Sequence, residues 1–303
     1  MLEGDLRRFR RSLPPDELEM PGIMPWRIRR LTEQGDRTVV GGVVVEEPLE
    51  IWLDGQLVAV LMRTPGLEKE LAAGFCLGEG LLADPGDIAL VRHCGRAMPD
   101  KAAGDALDGF RNRVDITSLS GLRGAVDPLD VVRMIRAGCG RADVAALSEG
   151  LTPLGADLAV SVETLIHLPA QLTRQQAAYR AAGGIHAAAI FDRQGRPLVV
   201  CEDIGRHNAV DKAVGYCLLR AIPLGDKLLL STGRASYDMV AKGVRLGIPI
   251  MASISSPTSL AVELAEALNC TLLGYLRGKR LNIYTHGWRV MVKENEREEQ
   301  SWT

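Results

Sequence analysis

Cys139 lies in the stretch RMIRAGCGRADVAAL (133–147), between Gly138 and Gly140, with Arg136 and Arg141 close by and a helix-like run following. Flanking glycines let a partner approach a thiol. Nearby cations and a helix N-terminus favour its thiolate, the nucleophilic form. No second cysteine stands at the CxxC spacing used by redox and metal pairs. Cys139 therefore reads as a reactive nucleophile, as half of a broken motif, or as an ordinary buried thiol.

A second concentration of chemistry lies in three turns, each just ahead of a helical pattern. In CEDIGRHNAVDK (201–212), Gly205 permits close backbone approach, and Arg206, His207 and Asn208 then enter a helix. At i,i+4 spacing, His207 shares a face with Asp211, and Asn208 with Lys212. That pattern predicts a polar pocket wall in which Asp211 positions His207 as a donor or proton carrier. The plainer alternative is a capped helix start with surface ion pairs.

In LLLSTGRASYDM (228–239), Ser231, Thr232, Gly233, Arg234 and Ser236 offer hydroxyls, backbone N–H groups and a guanidinium, the ingredients of a phosphate site. The Walker A spacing is missing, and Ser236 alone would pass as a helix N-cap. In ASISSPTSLAVELAE (252–266), Ser255, Ser256, Thr258 and Ser259 surround Pro257, and capping accounts for only one or two of them. GYLRGKRLNIYTH (274–286) then sets Arg277, Lys279 and Arg280 around Gly278, a triplet suited to a pyrophosphate or simply to solvent. His186, in GGIHAAAIFD (183–192), is either a site residue beside Gly183-Gly184 that something approaches closely, or a core histidine.

The elements that must carry these turns follow from periodicity. From about residue 170, strand-like runs (IHAAAIFD, RPLVVCEDIG, DKLLLST, IPIMASIS, TLLGYLR) alternate with helix-like ones (RHNAVDKAVGYCLLR, SYDMVAKGVRLG, TSLAVELAEALN), and PAQLTRQQAAYRAAGG precedes them as a helix. Such alternation predicts an α/β layered sheet with crossover connections, whose ligands settle beyond the strand carboxyl ends. Upstream, two β-branched runs flank Asp54-Gly55, a dipeptide that favours tight hairpins. Pro65 is expected to open a helix with an acidic first turn, and a short strand is expected at Arg111–Ile116 within a mobile loop over 95–125. The resulting organisation is a flexible arm (1–25), a smaller N-terminal α+β lobe (26–150), an α/β lobe (151–288) and a tail (289–303).

The 303 residues are 47% hydrophobic and 24% charged, with a formal net charge of −2 and only 4% aromatics. General attraction to nucleic acid is not expected from such a balance, nor are stacking platforms for single strands. The first 22 residues lack the apolar region of a secretory signal, and no run of about 20 apolar residues would span a membrane. The expectation is a cytoplasmic protein. Its six dispersed cysteines (Cys76, Cys94, Cys139, Cys201, Cys217, Cys270) suit reduced thiols, and no paired Cys/His set offers a metal site.

Taken together, GGIHAAAIFD, EDIGRHNAVDKAVG, STGRASYDMVAKGVRLGIPI, SISSPTSLAVELAE and GYLRGKRLNIYTH resemble the FdhD/NarQ family of formate dehydrogenase accessory sulfurtransferases. EEPLEIWLDG, LMRTPGLEKELAAGF and GEGLL extend the resemblance over roughly residues 40 to 287. It implies a cytidine-deaminase-like α/β fold and a homodimer. It also implies a sulfurtransferase or sulfur-carrier activity. Sulfur would pass as a cysteine persulfide from a cysteine desulfurase to the bis-guanine-dinucleotide molybdenum cofactor, destined for the formate dehydrogenase catalytic subunit. The cofactor is cargo, for which a guanine nucleotide can stand in. The residues it would meet are His186, Gly205, Arg206, His207, Asn208, Ser231, Thr232, Gly233, Arg234, Ser255, Thr258 and Ser259. The family's cofactor-binding stretch falls on Tyr275, Leu276, Arg277, Gly278, Lys279 and Arg280.

The family's CGxCGK motif matches RAGCGRA (136–142), with Cys139 as the second cysteine, Arg136 at the first and Arg141 in place of the lysine. Two readings follow: Cys139 carries sulfur alone, or the chain binds cofactor as a chaperone without transferring sulfur. A nucleotide deaminase is the remote third. That chemistry needs HxE and PCxxC, whereas His186 is followed by two alanines and Pro257 by Thr258.

Overall fold

A computed structural model describes residues 20–94, 112–119, 148, 150–155 and 157–292. Strands β1 (Ile23–Thr32) and β2 (Gly35–Val44) form a separate antiparallel ribbon. β3 (Glu47–Leu53) and β4 (Gln56–Arg63) turn at Asp54-Gly55, where both residues take positive φ (48° and 81°), as the dipeptide predicts for a two-residue hairpin. With β5 (Ile88–Cys94) and β6 (Arg113–Ser118) they make a four-stranded sheet in the order β4-β3-β6-β5. Leu49, Ile51, Leu53, Val114 and Ile116 alternate onto one face and bury themselves against helix α1 (Glu68–Gly78).

The second half is a six-stranded mixed sheet ordered β13-β12-β11-β10-β8-β9. Its strands are β8 (His186–Phe191), β9 (Pro197–Asp203), β10 (Leu228–Ser231), β11 (Ile250–Ser253), β12 (Thr271–Arg277) and β13 (Arg280–Ile283). A two-stranded pairing of β7 (Val160–Ser161) with β14 (Val290–Met291) closes the C-terminal region. β10, β11 and β12 run parallel, and β8 and β13 run against them. Near-continuous apolar strands such as Leu228–Leu230 and Ile250–Ala252 are what a sheet covered on both faces requires. One face packs on α4 (Arg206–Leu218), α5 (Tyr237–Arg245) and α6 (Ser259–Ala267), and the other on Leu165, Leu168 and Leu172 of α2 (Val162–Gln175).

The two sheets meet through α1 and α4. A Cβ on Gly74 would fall 1.9 Å from the Asp211 carbonyl oxygen, and one on Gly215 would fall 1.9 Å from that of Glu70. The two backbones touch because neither crossing residue has a side chain. The ribbon is held by Ile23 and Val44 packing against Ile185 and the short helix α3 (Ala177–Ala182).

Several local expectations are corrected. Of the arm expected over 1–25, residues 1–19 lie outside the described residues, and β1 already begins at Ile23. Pro65 does not open α1. The helix starts at Glu68 after Leu67 at φ 59°, and the Glu68 carboxylate accepts the Gly66 N–H at 2.6 Å. Pro169 lies inside α2, which begins a full two turns earlier because Ser161 caps it by accepting from the Thr164 N–H. The short strand expected at Arg111–Ile116 is β6, displaced by two residues. The rest of the loop expected over 95–125, save 112–119, lies outside the described residues.

Candidate functional site

The strand directions bring the singled-out turns to one edge of the six-stranded sheet. β9, β10, β11 and β12 end there, while β8 and β13 begin there. His186 opens β8 opposite Asp203, the last residue of β9. Its Nδ1 lies 3.3 Å from Thr232 Oγ1, and that hydroxyl also accepts the Ala187 N–H at 2.9 Å. Burial, reinforced by the Arg206 charge, lowers the His186 pKa and favours a neutral ring.

Gly205 caps α4, and Arg206 and His207 are its first two residues. The Arg206 side chain lies across Gly233, where a Cβ would stand 2.8 Å from its Cβ and Cδ. Gly233 thus lets the first and second turns touch. His207 Nε2 is 3.9 Å from Asp238 Oδ2 in α5. Burial and then Arg206 push the imidazole down to about 4. Among the described residues, Arg206 Nε, His207 Nε2 and Ser236 Oγ are all buried and without a hydrogen-bond partner. Unpartnered buried polar atoms are rare in folded proteins and costly. Arg63 Nε and His93 Nε2 also lack a partner among the described residues, but the Arg206, His207 and Ser236 atoms lie together at the N-terminal ends of α4 and α5, beside His186 and Thr232, where an anionic or hydrogen-bonding ligand would satisfy them.

The expected positioning of His207 by Asp211 is not what the structure has. Asp211 is buried and accepts two hydrogen bonds of 2.7 Å from Lys242 Nζ, which also pairs with Glu79 at 2.9 Å. Asn208 and Lys212 do share a face, but it points inward. Asn208 Nδ2 donates to Met62 O and Asp203 Oδ1, and Lys212 pairs with Asp203 at 2.7 Å. These residues build the turn from beneath.

The remaining hydroxyls divide between scaffold and surface. Ser231 Oγ accepts the Gly233 N–H, and Ser253 Oγ donates to Gly233 O, so both shape the second turn. Ser236 stands at the α5 N-cap position but makes no capping bond. Thr258 caps α6, Ser259 is exposed at its start, and Arg234 is exposed. The Ser255 carbonyl accepts the Tyr275 N–H at 2.8 Å.

A register shift between Gly274 and Arg277 breaks the β12–β13 ladder, and Tyr275 takes φ 50° within it. Gly274 is needed at that bulge, because a Cβ would meet Pro257 Cδ at 2.8 Å. Arg277 lies 5.4 Å from the Tyr275 ring centre, and Gly278, at φ 63°, carries exposed Lys279 and Arg280 around the hairpin. Leu276 points into the core. Gly183 and Gly184 have open space where a Cβ would stand, and their positive φ values (66° and 63°) explain the glycines better than close approach does.

Asp203, Thr64, Glu79 and Asp238 were not singled out as site residues in the sequence. Asp203, two residues before Gly205, and Asp238, two residues after Ser236, carried a local signal. Among the described cysteines, Cys76, Cys201, Cys217 and Cys270 are buried, and Cys94 is half-buried with Sγ 3.5 Å from Asp115 Oδ2. Burial raises all four buried thiols, Cys217 to about 11 and Cys201 and Cys270 to about 12. Cys139, Arg136 and Arg141 lie outside the described residues. Among the described residues, no group of three or more His, Cys, Asp or Glu could hold a metal ion, and no helix is long and apolar enough to cross a membrane.

The family model FdhD/NarQ matches residues 44–291, which include both sheets and every turn at this edge. The chain belongs to the FdhD/NarQ family. It is 41% identical over 272 residues to the sulfur carrier protein FdhD of Mycobacterium tuberculosis, covering 87% of this chain and 97% of that protein. It is also 41% identical over 278 residues to the sulfur carrier protein FdhD of Anaeromyxobacter dehalogenans, covering 84% and 93%. Its fold is similar to the crystal structure of a protein assigned as a formate dehydrogenase accessory protein from Desulfotalea psychrophila. That match has a TM-score of 0.70 at 25% identity, over 89% of this chain and all of the other. The α/β architecture is therefore the one this family uses.

Proposed function

We propose that this FdhD/NarQ protein is a sulfur carrier for formate dehydrogenase. In this reading it binds the bis-guanine-dinucleotide molybdenum cofactor as cargo and passes sulfur to it through Cys139. The observation that carries the reading is the convergence of Arg206, His207 and Ser236 at one sheet edge with buried, unpartnered polar atoms. A nucleotide's phosphate and sugar oxygens would supply those partners. The bulged Tyr275 and the Arg277–Arg280 hairpin extend the same edge for a ligand with more than one anionic group.

For the sulfur step, the Cys139 thiolate attacks the terminal sulfur of a persulfide on a cysteine desulfurase. A new S–S bond forms on Cys139, and the desulfurase cysteine leaves as its thiolate. The outer sulfur is then presented to the cofactor. Support comes from elimination as well as from the sequence motif: four of the other cysteines are buried with raised pKa values, so they are poor thiolates at neutral pH. A homodimer in the cytoplasm, meeting the desulfurase and then the dehydrogenase catalytic subunit, completes the reading.

Incubation with a cysteine desulfurase and cysteine, followed by peptide mass spectrometry, tests it. One extra sulfur on Cys139 in the native chain, absent from Cys139→Ala, is the expected result. Cofactor binding with no persulfide on the native chain would overturn sulfur transfer and leave a cofactor chaperone.

A further inference from the structure

We infer that Asp203 is a positioning residue for Arg206 and His207, and that with Lys212 it sets their turn from the β4–α1 corner of the other sheet. The inference rests on the ligand-site reading of that turn given above. Asp203 ends β9 with its side chain wholly buried. Oδ1 accepts the Gly205 N–H and Asn208 Nδ2, both at 2.9 Å. Oδ2 accepts the Thr64 N–H at 3.1 Å and pairs with Lys212 Nζ at 2.7 Å. One carboxylate thus holds the turn, the first helical turn of α4 and a residue 139 positions earlier in the chain.

The tie to the β4–α1 corner is repeated on every side. Lys212 Nζ also donates to Thr64 O at 2.7 Å, and Asn208 Nδ2 also donates to Met62 O at 2.7 Å. Thr64 Oγ1 accepts the Ile204 N–H at 3.2 Å. Between Met62 and Thr64, the buried Arg63 donates to Asn112 Oδ1 at 2.6 Å and pairs with Glu68 and Glu47, both at 3.4 Å. The corner is therefore itself fixed to β3, to α1 and to the start of β6.

Arg206 and His207 follow this clamp directly, yet among the described residues Arg206 Nε and His207 Nε2 have no hydrogen-bond partner, and His207 Nε2 meets only Asp238 at 3.9 Å. Their placement comes from the backbone beneath them and from the contact of Arg206 with Gly233. A buried carboxylate with four partners has little freedom to shift, and supporting groups of this kind keep ligand-binding side chains in register.

Two readouts test the inference on the full-length chain: GDP affinity by calorimetry and the His207 imidazole titration by NMR. Asp203→Asn alone leaves the Lys212 ammonium buried and unpaired, so the D203N/K212M double variant and the near-isosteric Thr64→Val are measured too. We expect GDP binding to weaken about tenfold in the double variant and about threefold in Thr64→Val. The His207 titration should move up from about 4 in both, as the ring leaves its buried site beside Arg206. A merely stabilising ion pair would lower the melting temperature and leave both readouts unchanged. Folded variants with GDP affinity within twofold of the native chain and an unmoved His207 titration would overturn the inference. Arg206→Ala serves as the control. If it binds GDP like the native chain, the ligand-site reading fails, and the His207 titration alone decides whether Asp203 sets the turn.

Discussion

Lys242 of α5 reaches across to Asp211 of α4, with Nζ 2.7 Å from each carboxylate oxygen, and also holds Glu79 at the end of α1. Three helices are joined by one buried ammonium. Burial pushes the Asp211 carboxyl up to about 6, and Lys242 is the largest influence pulling it down.

Lys242→Met therefore leaves Asp211 as a buried charge without its counter-ion. The expected loss is about 3–5 kcal/mol of unfolding free energy at neutral pH. Asp211 would then titrate higher still in the folded state. The stability it contributes is fully present below its unfolded pKa and is lost as pH rises through the folded one. Urea unfolding at pH 5 and pH 8 should show a smaller deficit at pH 5. An equal deficit at both would mean that Asp211 finds another partner.

The pH dependence of the native chain should carry the mark of His207. Its folded pKa, about 4, lies below the ordinary histidine value, so the unfolded chain takes up the proton first. The stabilisation is present above about pH 6.5 and declines as pH falls toward 4. His207→Gln, which cannot titrate, should flatten the fall in unfolding free energy over that window. A native-like slope in the variant would show that other groups govern it.

Much of this was legible in the sequence because periodicity and turn chemistry are local. Alternating runs gave the β10-α5-β11-α6-β12 layering, and Asp54-Gly55 marked its hairpin. The hydroxyl-rich turns were visible as composition, and the strand directions supplied their common edge. What stayed hidden depends on partners far away in the chain. Helical spacing put Asp211 on a face with His207, but Lys242, 31 residues on, decided where that carboxylate points. Thr64 could not be paired with Asp203 from sequence, since nothing local links residues 139 apart. Pro169 misled because Ser161 caps a helix that simply runs through it.

The contact of α1 with α4 predicts severe intolerance at two glycines. A Cβ placed 1.9 Å from a carbonyl oxygen cannot be accommodated by side-chain rearrangement, because the obstacle is backbone. Gly74→Ala or Gly215→Ala should cost about 3 kcal/mol or more, at or above the usual range for overpacking. Gly55→Ala, with open space at its Cβ but φ 81°, should cost only about 1 kcal/mol. Thermal melting of the three variants orders them.

Thiol titration separates the cysteines. In the native protein, Cys76, Cys201, Cys217 and Cys270 are buried with raised pKa values and should resist a disulfide reagent at pH 8. No more than two thiols, Cys94 and Cys139, should react within minutes, against all six in denaturant. If Cys139→Ala leaves the fast phase unchanged, the reactive thiol is elsewhere and the sulfur-transfer reading loses its nucleophile.

Ser236 offers the sharpest separation of function from stability. Its hydroxyl stands where a helix cap is expected, yet it makes no capping bond and is buried without a hydrogen-bond partner among the described residues. A cap lost to alanine ordinarily destabilises by about 1 kcal/mol. Here no cap bond is lost, and removing an unsatisfied buried oxygen relieves a cost of similar size. Ser236→Ala should therefore melt at or slightly above the native temperature while binding GDP about fivefold more weakly, the trade expected of a residue kept for its ligand. Lower stability with unchanged affinity would make Ser236 an ordinary structural serine, and would leave Arg206 and His207 to hold the ligand without it.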